Sequence, residues 1–130
     1  IDLDIEAVRA ASILHDIAKG LPDHEAAGAR LLRDMGFRKV AEMVEMHTCL
    51  AGNGRTVDLE TKIVFLADKL VMETVVVPLE RRFQAALEKY GGDPQARQNI
   101  IERRDQALAV RKEIEALIGR SLETVITGED

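Results

Sequence analysis

Aromatic side chains are nearly missing from this chain: there is no Trp, and Phe37, Phe65, Phe83 and Tyr90 make up the set. Base-stacking platforms need more than that. Basic charge is short as well, with 18 Lys and Arg against 23 Asp and Glu and a formal net charge of −5. Phosphate-backbone binding needs clustered cations, so nucleic acid is not an expected partner. Cys49 stands alone, which excludes an intrachain disulfide and makes a reducing cytoplasm the expected compartment. No apolar run approaches the ~18 residues of a membrane span, and no charged-then-apolar leader opens the chain. Neither a membrane nor export is therefore expected. Alternating strand patterns, internal repeats and low-complexity tracts are absent too.

What is present is a folding composition. The 130 residues are 46% apolar and 32% charged, enough for one domain with a real core. The chain opens on Ile1 rather than Met and is read as one domain cut from a longer protein. Apolar residues recur at helical spacing through Ile5, Val8, Ile13, Leu14 and Ile17, up to the stop at Gly20 and Pro22. Asp23 is placed to cap a second helix, with Glu25 favourable in its first turn. That helix carries Ala26, Ala27, Leu31 and Leu32 and stops at Gly36. A third, from Lys39 to Thr48, sets Val40, Met43, Val44 and His47 on one face. Ala51 to Val57, with Gly52, Asn53 and Gly54, reads as a loop.

Asp58 opens a long helix expected over 58–77. One of its stripes holds Val64, Phe65, Asp68, Val71, Met72 and Val75, and another holds Ile63, Leu66, Ala67 and Leu70. A helix apolar over most of its circumference belongs at the centre of a bundle. Pro78 kinks or breaks it. Leu79 to Tyr90 resumes the pattern and stops at Gly91-Gly92. Asp93-Pro94 then opens a last long helix, ending at Ile118 before Gly119. Its Arg103, Arg104, Arg111 and Lys112 read as a solvated face. Ser121 starts a short final turn. The expected fold class is all-α, a bundle of about six helices around the central helix 58–77. Its core lies in 1–77, with a helical extension over 78–130.

His15, His24 and His47 are the only histidines. Each lies on or beside an apolar face or a helix end, as an ordinary hydrogen-bonded core histidine does. Asp68 changes that reading, because an unpaired carboxylate among Val64, Phe65, Val71 and Met72 costs several kcal/mol. A metal ion or a basic side chain is the usual partner. Two imidazoles with carboxylates suit manganese, iron, cobalt, nickel or zinc. His15 and Asp16 are adjacent, ~100° apart around a helix, so they serve one ion only where a helix end points at it. Alternatively, the Asp16 carboxylate bridges two. Lys19, four residues after His15 on the same face, can pair with Asp16, reach a substrate phosphate, or simply favour the helix C-terminus.

The run Ala10-Ala11-Ser12-Ile13-Leu14-His15-Asp16-Ile17-Ala18-Lys19-Gly20 resembles the signature helix of the HD-domain metal-dependent phosphohydrolases. His24-Glu25-Ala26-Ala27-Gly28-Ala29 resembles the family's next element. Met43-Val44-Glu45-Met46-His47-Thr48 resembles the third, and Ile63-Val64-Phe65-Leu66-Ala67-Asp68-Lys69-Leu70 the closing Asp helix. The dipeptide alone is a weak motif, but four elements in order over 1–70 are specific.

The resemblance implies an HD-type helical bundle. It implies that His15, Asp16 and Asp68 hold one metal ion, that His24 and His47 hold a second, and that Asp16 bridges. Asp16 and Lys19 are the expected catalytic residues, and Lys19 is placed to meet a substrate phosphate; Arg82, or Arg81 beside it, can do the same, although two solvated arginines after a proline break are the plainer reading. The resemblance implies metal-dependent hydrolysis of a phosphate ester or anhydride in a small molecule, a nucleotide being the expected one. The family's earlier His has no counterpart before His15. This departure keeps a second reading open, a catalytically impaired module that binds a nucleotide and regulates an attached domain. A mixed-valence di-iron oxygenase and a purely structural bundle stay open as well. Val77-Pro78-Leu79-Glu80-Arg81-Arg82-Phe83 and the helices after it resemble the extension of HD domains fused behind a nucleotidyltransferase.

Overall fold

A computed structural model describes residues 2–50 and 57–128, with Thr127 described by its backbone only. Among them the order is α1 (Ile5–Leu14), α2 (His24–Asp34), α3 (Arg38–Glu45), α4 (Leu59–Lys69), β1 (Val71–Met72), β2 (Val75–Val76), α5 (Leu79–Tyr90), α6 (Pro94–Ile118) and α7 (Leu122–Thr127). The protein is all-α apart from one small hairpin. The loop expected at Gly52-Asn53-Gly54 lies outside the described residues. None of the described helices is long and apolar enough to cross a membrane. Two compact units divide the chain, Ile1–Asp68 and Lys69–Asp130. The division therefore falls at the end of α4, whereas the sequence reading set it at Pro78.

In the first unit, the Asp4 carboxylate caps α1 by accepting the Ala7 N–H at 3.0 Å. The core joins Ala7 and Ala11 of α1, Ala29 and Leu32 of α2, Val64 of α4, and Val40, Ala41, Met43 and Val44 of α3. The largest share comes from α3, which packs against both α1 and α2. The face predicted for this helix, with His47 just beyond its end, is the buried one. On α1 the predicted stripe is right in part, since Val8 and Leu14 pack against the core but the isoleucines do not. Ile5 and Ile13 are 54% and 74% exposed, while Ala7 and Ala11 are buried. Short side chains let α1 lie close to its neighbour, so the buried stripe is the alanine stripe rather than the isoleucine one.

Two expectations are corrected by the backbone. Asp23 does not cap α2 with its side chain. It takes the left-handed conformation, φ 48° and ψ 53°, which Asp tolerates better than most residues, and so turns the chain into the helix. The helix expected over 58–77 is the shorter α4. Asp58 does cap its start, accepting the Thr61 N–H at 2.9 Å, but the helix ends at Lys69. The β-branched run Val71, Thr74, Val75, Val76 and Val77 favours extended backbone. Val71 pairs with Val76 and Met72 with Val75. Glu73, at φ 57°, supplies the positive φ that a two-residue hairpin turn needs. Pro78 comes after a break already made.

The second unit is more regular. α5 and α6 pack together and bury Leu79, Phe83, Ile100, Ala107 and Val110. Asp93 caps α6 by accepting the Ala96 N–H at 3.2 Å, Pro94 takes the first helical position, and Gly119 ends the helix at φ 69°. The Asp-Pro start and Gly stop are as predicted. Ser121 caps α7, accepting the Thr124 N–H at 3.2 Å.

Candidate metal centre

Helix ends bring the histidines of the first unit together. His15 is the C-cap of α1, His24 opens α2, and His47 comes directly after the cap residue of α3. Gly28 permits the approach of α2. A Cβ there would meet Ile17 Cγ2 at 3.2 Å and Val44 Cγ1 at 3.5 Å, so a larger residue would push α2 away from α3 and from the turn after His15.

Two imidazoles are oriented by the backbone. His15 Nδ1 lies 2.8 Å from the Ser12 carbonyl oxygen, and His47 Nδ1 lies 2.6 Å from that of Val44. A carbonyl accepts only from N–H, so each ring carries a proton on Nδ1 and turns Nε2 toward the Asp16 carboxylate. Metal-binding histidines are fixed in the same way. The rings stand 4.9 Å apart, edge to face. Asp16 lies between them, with Oδ2 3.3 Å from His15 Nε2 and Oδ1 3.6 Å from His47 Nε2. Asp68 Oδ1 is 3.5 Å from His15 Nε2.

One donor atom each from His15, Asp16 and His47 falls within 4.8 Å of the others. His47 is buried, whereas the Asp16 side chain is 45% exposed, so the cluster has a dry side and an open side. Asp68 is less enclosed than its apolar sequence neighbours suggest. Its side chain is 23% exposed.

The remaining predicted residues take different positions. His24 stands beside the group and outside it: its ring centroid is 5.5 Å from that of His47, and its donor atoms are not among those lying within 4.8 Å of one another. Lys19 is exposed in the turn after Asp16, where its backbone N–H donates to the Asp16 carbonyl at 2.9 Å. No ion pair joins its ammonium to the Asp16 carboxylate. Arg82 belongs to the second unit, where Nη1 donates to the Val71 carbonyl at 2.6 Å and braces the hairpin. Glu25 is the residue that the sequence reading passed over, giving it only a helix-dipole role. Its Oε1 is 3.4 Å from His24 Nε2. Burial pushes its carboxyl upward, but its own backbone N–H, a hydrogen bond from Thr48 and the imidazoles of His24 and His47 bring it below the ordinary value. Its position directly after a candidate ligand was the signal that could have found it.

Residues 1–73 match the HD domain family. The chain belongs to that family. Among curated proteins, an uncharacterized protein of Methanocaldococcus jannaschii is 32% identical to this HD domain over 111 residues. That match covers 68% of this chain and 64% of the relative, so the chain spans about two thirds of the relative's length. No solved structure matches.

HD domains form a superfamily of metal-dependent phosphohydrolases and bind divalent metals. The donor set fits such an ion. It offers imidazole nitrogens with fixed tautomers and carboxylate oxygens, the mixture that borderline transition metals accept. The spacing of 3.3–3.6 Å between these donors is also that of atoms sharing an ion at ~2.0–2.2 Å.

Proposed function

We propose that this HD domain is a metal-dependent phosphohydrolase acting on a phosphate ester or anhydride of a small molecule, a nucleotide being the expected substrate. One observation carries the reading: the two oxygens of Asp16 face two different imidazoles, His15 and His47. A carboxylate so placed can be shared between neighbouring cation sites. His15, Asp16 and Asp68 would hold one ion, and His24, His47 and Asp16 the other. A divalent transition metal there, of the manganese-to-zinc group, would make water a nucleophile near neutral pH and offset charge on the phosphoryl oxygens.

The chain's own residues do the rest. The Ser12 and Val44 carbonyls keep His15 and His47 in the tautomer that presents Nε2. The exposed side of Asp16 leaves room for a substrate phosphate. The Lys19 ammonium, on the turn that carries Asp16, supplies a mobile positive charge for developing negative charge.

Hydrolysis of nucleoside mono- and triphosphates in manganese, against a chelator control, tests this reading. Metal-dependent phosphate release is expected. Turnover that the chelator leaves intact would contradict it. Absence of turnover with tight nucleotide binding would favour the regulatory module.

A further inference from the structure

The second unit holds a cavity of about 340 Å³ that the metal centre does not use. This is the lower end of the ~300–1,000 Å³ range of small-molecule sites, and an apolar lining with a few polar groups is their usual make-up. Val77 and Leu79 line it and are buried, whereas Val76 and Ile126 line it and are 54% and 46% exposed. The exposed pair forms an apolar mouth that gains from being covered.

Polar contacts hold both sides in place. On the hairpin side, the Val77 N–H donates to the Leu70 carbonyl at 2.8 Å, and Arg82 Nη1 donates to that of Val71 at 2.6 Å. On the other side, the Leu122 N–H at the start of α7 donates to Glu115 Oε2 of α6 at 2.7 Å. The cavity is therefore framed before a ligand arrives, which lowers the entropic cost of filling it.

Charge selects the ligand. Three carboxylates line the cavity, those of Glu80, Glu115 and Glu123, against the one guanidinium of Arg111. Glu80 already engages both terminal nitrogens of Arg111, Nη1 at 3.1 Å and Nη2 at 2.8 Å. An anion would have to break that two-pronged pair and would sit among like charges. Among the described residues, Glu115 Oε1 accepts no hydrogen bond. A cation meets it and breaks nothing.

We propose that this cavity binds a small organic cation, an apolar body that carries one ammonium or guanidinium group. The body lies against Val76, Val77, Leu122 and Ile126, and the charge lies at Glu115. The site is built wholly from residues of the second unit, so it stands or falls apart from the metal-centre reading.

Three probes share one apolar ring and differ in charge: phenethylamine, phenethyl alcohol and phenylacetate. Each is titrated into the full chain, and binding is read from the amide NMR shifts of Val76, Val77, Leu122 and Ile126. Phenethylamine is expected to shift them saturably at millimolar concentration and to bind at least tenfold more tightly than the alcohol. Phenylacetate should not shift them. Glu115→Gln keeps an oxygen for the Leu122 N–H and removes the charge, so it should lower amine affinity to that of the alcohol. Ile126→Trp fills the mouth from an exposed position and should abolish amine binding, which covers the case in which the Gln variant does not fold.

Phenylacetate binding as tightly as the amine overturns the proposal. Amine affinity unchanged in folded Glu115→Gln or in folded Ile126→Trp overturns it too, as does a wild-type chain whose four amides respond to none of the probes.

Discussion

The two units of this chain solve different problems with similar material. The first uses short helices of 8 to 11 residues and gathers its chemistry at their ends. The second uses a 25-residue helix, α6, capped at both ends and packed on α5. Ionic groups on α5 and α6 pair across the helices, as Arg111 does with Glu80 at 2.8 Å. In the first unit His15, Asp16, His24 and His47 sit where helical hydrogen bonding stops. A side chain on a regular helix points radially, and its neighbours point elsewhere. At a helix end the backbone is free to aim successive residues at one place. The difference predicts that changes at the helix ends of the first unit remove function, and that changes on the faces of the second remove at most stability.

The largest expected effect tests that contrast directly. His47→Ala and Asp68→Ala should each reduce manganese-dependent nucleotide hydrolysis to the level of the chelator control, while Arg111→Ala leaves it unchanged. Steady-state phosphate release from the three purified variants checks this. An Arg111→Ala variant as inactive as the other two would break the comparison.

Next in size is the support beneath the helix ends. Leu32 is fully buried in the core of the first unit, and Leu32→Ala is expected to cost ~2–5 kcal/mol, read from the denaturant midpoint. Gly28→Val should cost less, ~1–3 kcal/mol, because added methyls meet Ile17 and Val44 rather than opening a cavity. Its effect on the site should be the greater of the two, since it shifts α2 and with it His24. Manganese affinity measured on folded Gly28→Val separates the two outcomes, and an unchanged affinity would show that α2 is free to adjust.

The same contrast explains what was legible in the sequence. Elements with capping chemistry were placed well: Asp93-Pro94 and Gly119 bound α6, and Asp58 opens α4. His15, Asp16, His47 and Asp68 were singled out because they stand in the family's order; the structure sets donor atoms of the first three within 4.8 Å of one another and Asp68 3.5 Å from His15. Helical phase was less legible. Reading α1 by its largest residues put Ile13 inside, but close packing favoured Ala7 and Ala11. The run Val71 to Val77 fits an apolar helical stripe as well as it fits a strand, because nearly every position is apolar and periodicity cannot choose.

The smallest effect concerns the ion pairs that tie helices together in each unit. In the first, Lys39 Nζ lies 3.3 Å from Asp4 Oδ2 and 2.9 Å from Glu60 Oε2. The Ala7 N–H and then Lys39 hold the Asp4 carboxyl below its ordinary value. Lys39 and then the Asp4 N–H do the same for Glu60. Lys39 itself is raised, first by Glu60 and then by Asp4. In the second unit Arg111 lowers Glu80. A carboxylate with a lowered folded pKa stabilises the fold above its unfolded value, ~3.9 for Asp and ~4.3 for Glu, and that stability is lost as pH falls through the folded value. For Lys39 the contribution is present below ~10.4 and is lost as pH rises through its raised value. Among the described residues, acid therefore acts on the linked carboxylates Asp4 and Glu60 and on Glu25 in the first unit, and on Glu80 in the second. Hydrogen exchange measured from pH 6 downward should show α1, α3 and α4 losing protection more steeply than α5 and α6. Lys39→Met should flatten that slope, and added salt should shrink it, since Lys39 and Asp4 are about half exposed and so screened. Equal slopes in the two units would mean that the ionic ties at the helix ends of the first do no more than the one pair across α5 and α6.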